Sequence, residues 1–236
     1  MINSNRYIFG KSDGISPLLA DLVANYEFAS NSNDSTANAH NGTDTAITYS
    51  SSSANFNGST SKIVIPQSTD FDFSNATNDL LFSMNFWFKS NNISATQWFF
   101  GKRDDTIAAQ YQVVLVGNRV FVALFQDLSN FLIIQSNTVL SSGVDYNVCV
   151  TYNGNGSTSG VKIYIDGVLT TSTLSTVGTY TKMAISSQPE VFGYLVANPI
   201  TLNGYMNRFR IWKNRELTGA ETTQLYNSGM GLNYPF

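Results

Sequence analysis

The 236-residue chain has one cysteine, one histidine and four glutamates, and only 12% of its residues are charged. Each scarcity excludes something. A lone cysteine cannot close an internal disulfide, so the disulfide framework of small secreted domains is absent. Cys149, within Asn147-Val148-Cys149-Val150-Thr151, reads as a small apolar residue of a buried strand. A net charge of -3 and a pI near 5.0 argue against a nucleic-acid binder held by phosphate contacts. No run approaches the roughly 20 apolar residues that a membrane-spanning helix needs, so no membrane insertion is expected. The first ten residues lack the apolar core of a secretory signal, so synthesis in a cytosol is expected.

What the chain does contain is Ser, Thr and Asn, 76 in all, and 31 aromatic residues against 29 of Asp, Glu, Lys and Arg combined. A disordered chain would be poor in aromatics and rich in net charge. Aromatic and β-branched residues favour strands, while Ser, Asn, Gly and Asp favour loops, so the composition points to a β-rich fold. Period-two alternation places a strand from Leu22, with Ala24, Tyr26 and Phe28 on one face. A long polar loop is predicted from Ala29 to about Ser53. Further strands follow at 54–56, 62–65, 82–89, 98–100, 111–116, 120–125, 131–134, 146–152 and 161–165. Asp166-Gly167 supplies the positive φ angles of a tight type I′ hairpin. Thr218-Gly219-Ala220-Glu221 has the form of a capping box, which predicts one short C-terminal helix with Gly229 as its stop. Residues 1–20 carry little period and read as an arm, and residues 21–236 as one sandwich domain with a short tail. Many short strands at regular spacing mean a sandwich or barrel.

The order of certain segments carries more information than any one of them. Leu22 to Phe28 is followed by Asn33-Asp34-Ser35 and His40-Asn41-Gly42-Thr43. Ala54 to Gly58, Lys62 to Pro66 and Phe82 to Phe88 come next. Tyr146 to Tyr152, Lys162 to Gly167, Asn203 to Trp212 and Arg215 to Thr218 complete the series. Over roughly residues 22–228 this series resembles the laminin-G-like, concanavalin A-like jelly-roll domains. The resemblance implies an all-β sandwich of two antiparallel sheets, one of them concave. Members bind glycans or proteins and some relatives are glycosidases, so fold alone does not assign the activity.

Candidate chemistry is sparse. Glucanase relatives carry a Glu-x-Asp-x-Glu-like strand, and retaining glycosidases need two carboxylates about 5 Å apart. Of Glu27, Glu190, Glu216 and Glu221, none has an acidic partner two or four residues away. His40 lies in a polar loop without a nucleophile elbow. No enzyme is therefore expected. No cofactor is expected, with one alternative: some members of the family hold a structural Ca²⁺, which here would fall to Asp34 and the position of Asn207. Asn207 and Arg208 stand there in place of an Asp-Asp pair, so the anionic ligands are too few. Trp87, Trp98 and Trp212 are candidates for a sugar-stacking platform, with core packing the favoured alternative. Tyr7, Ile8 and Phe9 in the arm, and Tyr234 and Phe236 in the tail, are candidates for docking onto a partner. These features lead to an expected structural or adhesive module on the surface of a virus particle, a tailed phage: a capsid decoration, head fibre or tail component. Its partners would be other virion proteins or further copies of itself, and host glycans. A stand-alone lectin-like module is the alternative.

Overall fold

The computed structural model describes residues 16–50, 52–75, 77–104, 108–195 and 199–236. The alternating runs fold as β1 (Leu22–Tyr26), β2 (Thr43–Thr45), β3 (Thr48–Ser50), β4 (Ser53–Asn57), β5 (Lys62–Ile65) and β6 (Phe82–Ser90). The chain continues through β7 (Gln97–Asp104), β8 (Ala108–Val116), β9 (Arg119–Asp127), β10 (Asn130–Ser136), β11 (Asp145–Tyr152) and β12 (Val161–Ile165). It ends with β13 (Val168–Leu169), β14 (Ser172–Val177), β15 (Glu190–Phe192), β16 (Tyr194–Leu195), β17 (Ile200–Thr201), β18 (Asn203–Lys213) and one helix, α1 (Gly219–Tyr226).

Two antiparallel sheets result. The first runs β13-β12-β11-β6-β18-β4-β3, with β1 also paired to the long β18. The second runs β14-β10-β9-β8-β7-β15-β5-β2. Strand alternation turns Phe82, Met84, Phe86 and Phe88 of the first sheet toward Val113, Leu115, Val122 and Leu124 of the second, all buried in one core. Aromatic rings fill its centre. Phe209 stacks on Phe86 at 5.1 Å and meets Phe192 edge-on at 4.7 Å. The architecture is the two-sheet sandwich that the resemblance implies, with the one short C-terminal helix that the capping box predicts.

The local signals act as their chemistry demands. Asp166 and Gly167 both have positive φ, 53° and 75°, and join Ile165 to Val168 in a hairpin. The Thr218 hydroxyl accepts from the Glu221 N–H at 3.3 Å, and the Glu221 carboxylate accepts from the Thr218 N–H at 2.8 Å. The helix stops earlier than predicted. Asn227, with φ 49°, takes the left-handed position, and its side-chain amide donates to the Gly231 carbonyl at 2.9 Å. The predicted polar loop from Ala29 to Ser53 is also corrected, because β2 and β3 lie inside it. Both are three-residue strands of largely exposed Thr, Asp, Tyr and Ser, without the apolar alternation that would betray them.

Part of the outer face of the first sheet is capped. Leu217 and Leu225 around α1 pack with Leu18 onto Cys149, Tyr164 and Trp212. Burial raises the Cys149 thiol well above its ordinary pKa, which leaves it an inert packing group. Pro17–Leu19 forms a short 3-10 turn whose Leu18 is fully buried, so these residues of the predicted arm pack on the domain.

Candidate functional site

The outer face of the second sheet is apolar as well, and it is only partly covered. Register places Gly101, Gln112, Ala123, Ile133 and Ser175 in one row across five strands, β7 to β10 and β14. Flanking rows carry Val114 and Phe121 on one side and Phe125 and Phe131 on the other. At one end, Leu195 and Ile200 of the β16–β17 hairpin close over Trp98, Val114 and Phe121. Near the other end, the Ala184 N–H donates to the Phe125 carbonyl at 2.8 Å, and its carbonyl accepts from the Gln110 amide at 2.6 Å. Between them lies a cleft of about 310 Å³ lined by Arg103, Gln112, Phe121, Ala123, Phe125, Leu128 and Phe131.

Gly101 and Ala123, the small residues of this row, keep the floor low. At Gly101 an added Cβ would lie 2.6 Å from the Trp98 ring and 2.8 Å from the Tyr111 carbonyl oxygen, so only glycine fits beside the floor. Phe125 and Phe131 touch with ring centroids 5.1 Å apart and form one wall. Arg103 lies 4.8 Å over the Phe125 ring and donates to the Gln112 amide oxygen at 2.5 Å. A cleft of this kind presents ring faces, a guanidinium and an amide, and Leu128 adds a 43% exposed apolar rim. None of the sequence candidates lies in this cleft. A signal did exist in β9, which is apolar on both faces: Val120, Val122 and Leu124 face the core while Phe121, Ala123 and Phe125 face outward. In an antiparallel sheet such a strand marks a covered or ligand-bearing second face.

The three tryptophans sit elsewhere and are buried. Trp98 donates through Nε1 to the Val191 carbonyl at 2.9 Å, and Trp212 to the Leu18 carbonyl at 2.7 Å. Trp87 stacks on Tyr226 at 5.8 Å under the tail of the chain. Their faces are occupied by protein, so the geometry offers no indole platform to a sugar.

The two calcium candidates are not brought together. Asp34 organises its own loop. Its Oδ1 accepts from the N–H groups of Asn25 and Thr36, both at 2.9 Å. Its Oδ2 accepts from the Thr36 hydroxyl at 2.9 Å and the His40 N–H at 3.1 Å. Those four donors take the positions a cation would need. Asn207 instead lines a polar cleft with Lys89 and Asp145. Among the described residues no group of three or more His, Cys, Asp or Glu is placed to hold a metal ion. The donor set does not fit calcium, and we expect EDTA to leave the melting temperature unchanged in a thermal melt; a fall would restore the site.

The tail candidates are spent on the domain itself. The Tyr234 N–H donates to the Glu27 carboxylate at 3.2 Å, and the Arg210 guanidinium lies 4.9 Å over the Phe236 ring. Arg210 also donates to the Leu232 carbonyl, and burial lowers its pKa to about 10. Tyr234 and Phe236 are thus half-buried packing groups rather than projecting anchors. Tyr7, Ile8 and Phe9 lie outside the described residues.

One carboxylate pair does exist, formed by residues far apart in sequence. Lys102 Nζ lies 2.7 Å from Asp72 Oδ1 and 3.1 Å from Glu190 Oε1. All three side chains are buried between the sheets, and Glu190 and Lys102 are fully inaccessible. Burial pushes the Glu190 carboxyl up to about 7, with the Lys102 charge opposing. A perturbed acid next to a second acid is what hydrolysis requires. Here Glu190 and Lys102 are closed off from solvent and Asp72 is nearly so.

Fold and matched sequence together define the class. The chain belongs to the concanavalin A-like lectin/glucanases superfamily, whose Laminin_G_3 pattern matches residues 57–222. No curated protein sequence matches it. Among solved structures it is similar to domain 4 of AbnA, a GH43 extracellular arabinanase from Geobacillus stearothermophilus, in complex with arabinotriose. That likeness has 24% identity and a TM-score of 0.64, and covers 86% of this chain and 97% of that one. It is also similar to botulinum neurotoxin type C, described as entering cells through two ganglioside molecules, at 16% identity and a TM-score of 0.65 over 88% of this chain. The binding domain of Paraclostridial Mosquitocidal Protein 1 is similar at 16% identity and a TM-score of 0.66 over 89% of this chain. The chain spans about half the length of these two toxin structures, 51% and 52%. At such identities the likeness establishes the fold.

Proposed function

We propose that the chain is a non-catalytic glycan-binding module whose ligand lies in the cleft of the second sheet. The observation that carries this reading is the ring-walled floor between Phe121 and Phe131, with Arg103 and Gln112 at its edge. A sugar ring has apolar C–H faces and hydroxyl edges. The faces pack on the partly exposed Phe121 and Phe131, and the hydroxyls exchange hydrogen bonds with the guanidinium and the amide. The arabinotriose of the arabinanase domain and the gangliosides of the toxin support sugar as the ligand class. The virion setting expected from the sequence rests on a sandwich without a visible catalytic set, its charge-poor surface and the arm of residues 1–20.

A glycan array with the purified chain tests the proposal. Binding of at least one glycan is expected, and Phe131→Ala and Gln112→Ala should each weaken it by about tenfold, equivalent to about 1.4 kcal/mol. Empty arrays, or full affinity in both variants, would overturn it. Bond cleavage in any bound glycan would overturn the non-catalytic part.

A further inference from the structure

We infer a second ligand site, on the opposite side of the sandwich, that takes a neutral polyhydroxyl group the size of a single sugar ring. It is a cleft of about 370 Å³ on the outer face of the first sheet, lined by Ser52, Ser53, Lys89, Asp145, Tyr205 and Asn207. Register assembles it. Lys89 on β6 pairs with Asp145 on β11 and with Tyr205 on β18, so three side chains share one face. Asn207 follows two residues after Tyr205 on that face, opposite Trp87.

Two observations point to a ligand and to its chemistry. The first is an unmet hydrogen bond. The Asn207 side-chain oxygen is buried and accepts from no donor among the described residues, and the neighbouring Trp87 Nε1 is buried without an acceptor. Buried polar atoms are normally satisfied, so this unmet acceptor and donor mark the floor of the cleft as short of a hydrogen-bonding group. The second is charge balance. The Lys89 ammonium lies 2.7 Å from the Asp145 carboxylate. A metal cation would find that carboxylate already neutralised and an ammonium in its place, and an anion would meet the carboxylate. A hydroxyl fits both partners, since it donates to Asn207 or Asp145 and accepts from Lys89, whose ammonium carries three donors. The half-buried Tyr205 adds a ring face and a phenol oxygen. The site shares no residue with the cleft of the second sheet and does not depend on it.

The test is a titration of the full-length protein, followed by amide and side-chain NMR shifts, with D-glucose, D-galactose, L-arabinose and D-xylose. N-acetylneuraminate and calcium chloride serve as charged probes. At least one neutral sugar should shift the signals of Lys89, Asp145, Tyr205 and Asn207. Asn207→Leu, which removes the open acceptor, should weaken that response by about tenfold, as should Tyr205→Ala, which leaves the strand backbone intact. Phe131→Ala, on the other sheet, should leave it unchanged. The inference is overturned if no neutral sugar shifts these signals, if only the charged probes do, or if the shifts persist in both site variants. Shifts confined to Phe121, Phe125 and Phe131 would support the cleft of the second sheet and refute this one.

Discussion

Replacing Lys102 with methionine should destabilise the protein by about 3–5 kcal/mol at pH 8. The ammonium is fully buried and holds two carboxylates, Asp72 at 2.7 Å and Glu190 at 3.1 Å. Methionine nearly matches the volume of the lysine stem, so the loss is not one of packing. It comes from leaving two buried acids with no cation. Urea unfolding should show a lower midpoint with an unchanged slope. The cost should shrink as pH falls, because Glu190 can then protonate. A contrast sharpens the reading. Lys162 pairs with Glu216 at 2.7 Å, but its side chain is 42% exposed. Removing that pair should cost less than about 1 kcal/mol. A Lys102→Met protein as stable as the parent at pH 8 would show that the buried ammonium gives the two acids no net stabilisation.

The contrast between Lys102 and Lys162 also shows what could be read along the chain. Strands with a clean apolar period, such as Phe82 to Phe88 and Val161 to Ile165, were legible because one face is buried and the pattern must follow the pleat. The hairpin at Asp166-Gly167 and the cap at Thr218 were legible because each depends on residues within three positions. β2 and β14 were not, since exposed edge strands of Thr and Ser owe their conformation to a neighbour rather than to their own burial pattern. The Lys102 triad joins positions 72, 102 and 190, which only the sheet register brings together. The cleft was half legible, since β9 carries Phe121, Ala123 and Phe125 in strict alternation. Its floor was not, because Gly101 matters through how closely Trp98 and Tyr111 approach it, and no local pattern records that. The tryptophans drew attention as large aromatic residues, yet the smaller Phe121 and Phe131 line the open face.

Glu190→Gln should make the protein more stable at pH 8, and the gain should vanish near pH 5. With Asp72 and Glu190 both ionised, the buried triad carries one excess negative charge, and protonation of Glu190 removes it. That is why burial pushes this carboxyl up to about 7 against the pull of Lys102. The folded pKa lies above the unfolded one, so the protonated acid's contribution is fully present below about pH 4.5. It is lost as pH rises through about 7. A shift of this size corresponds to a ceiling of about 3 kcal/mol across that window. Glutamine fixes the neutral form at every pH. Little hydrogen bonding is forfeited, because neither oxygen of Glu190 accepts a well-directed bond among the described residues. The Lys102–Asp72 pair stays balanced. Melting curves between pH 5 and pH 8 should therefore fall for the parent by several degrees more than for the variant. Parallel curves would mean that Glu190 is already ionised throughout, with Lys102 shared evenly between the two acids. In that case the variant should be the less stable protein at pH 8, because a paired carboxylate would have been lost.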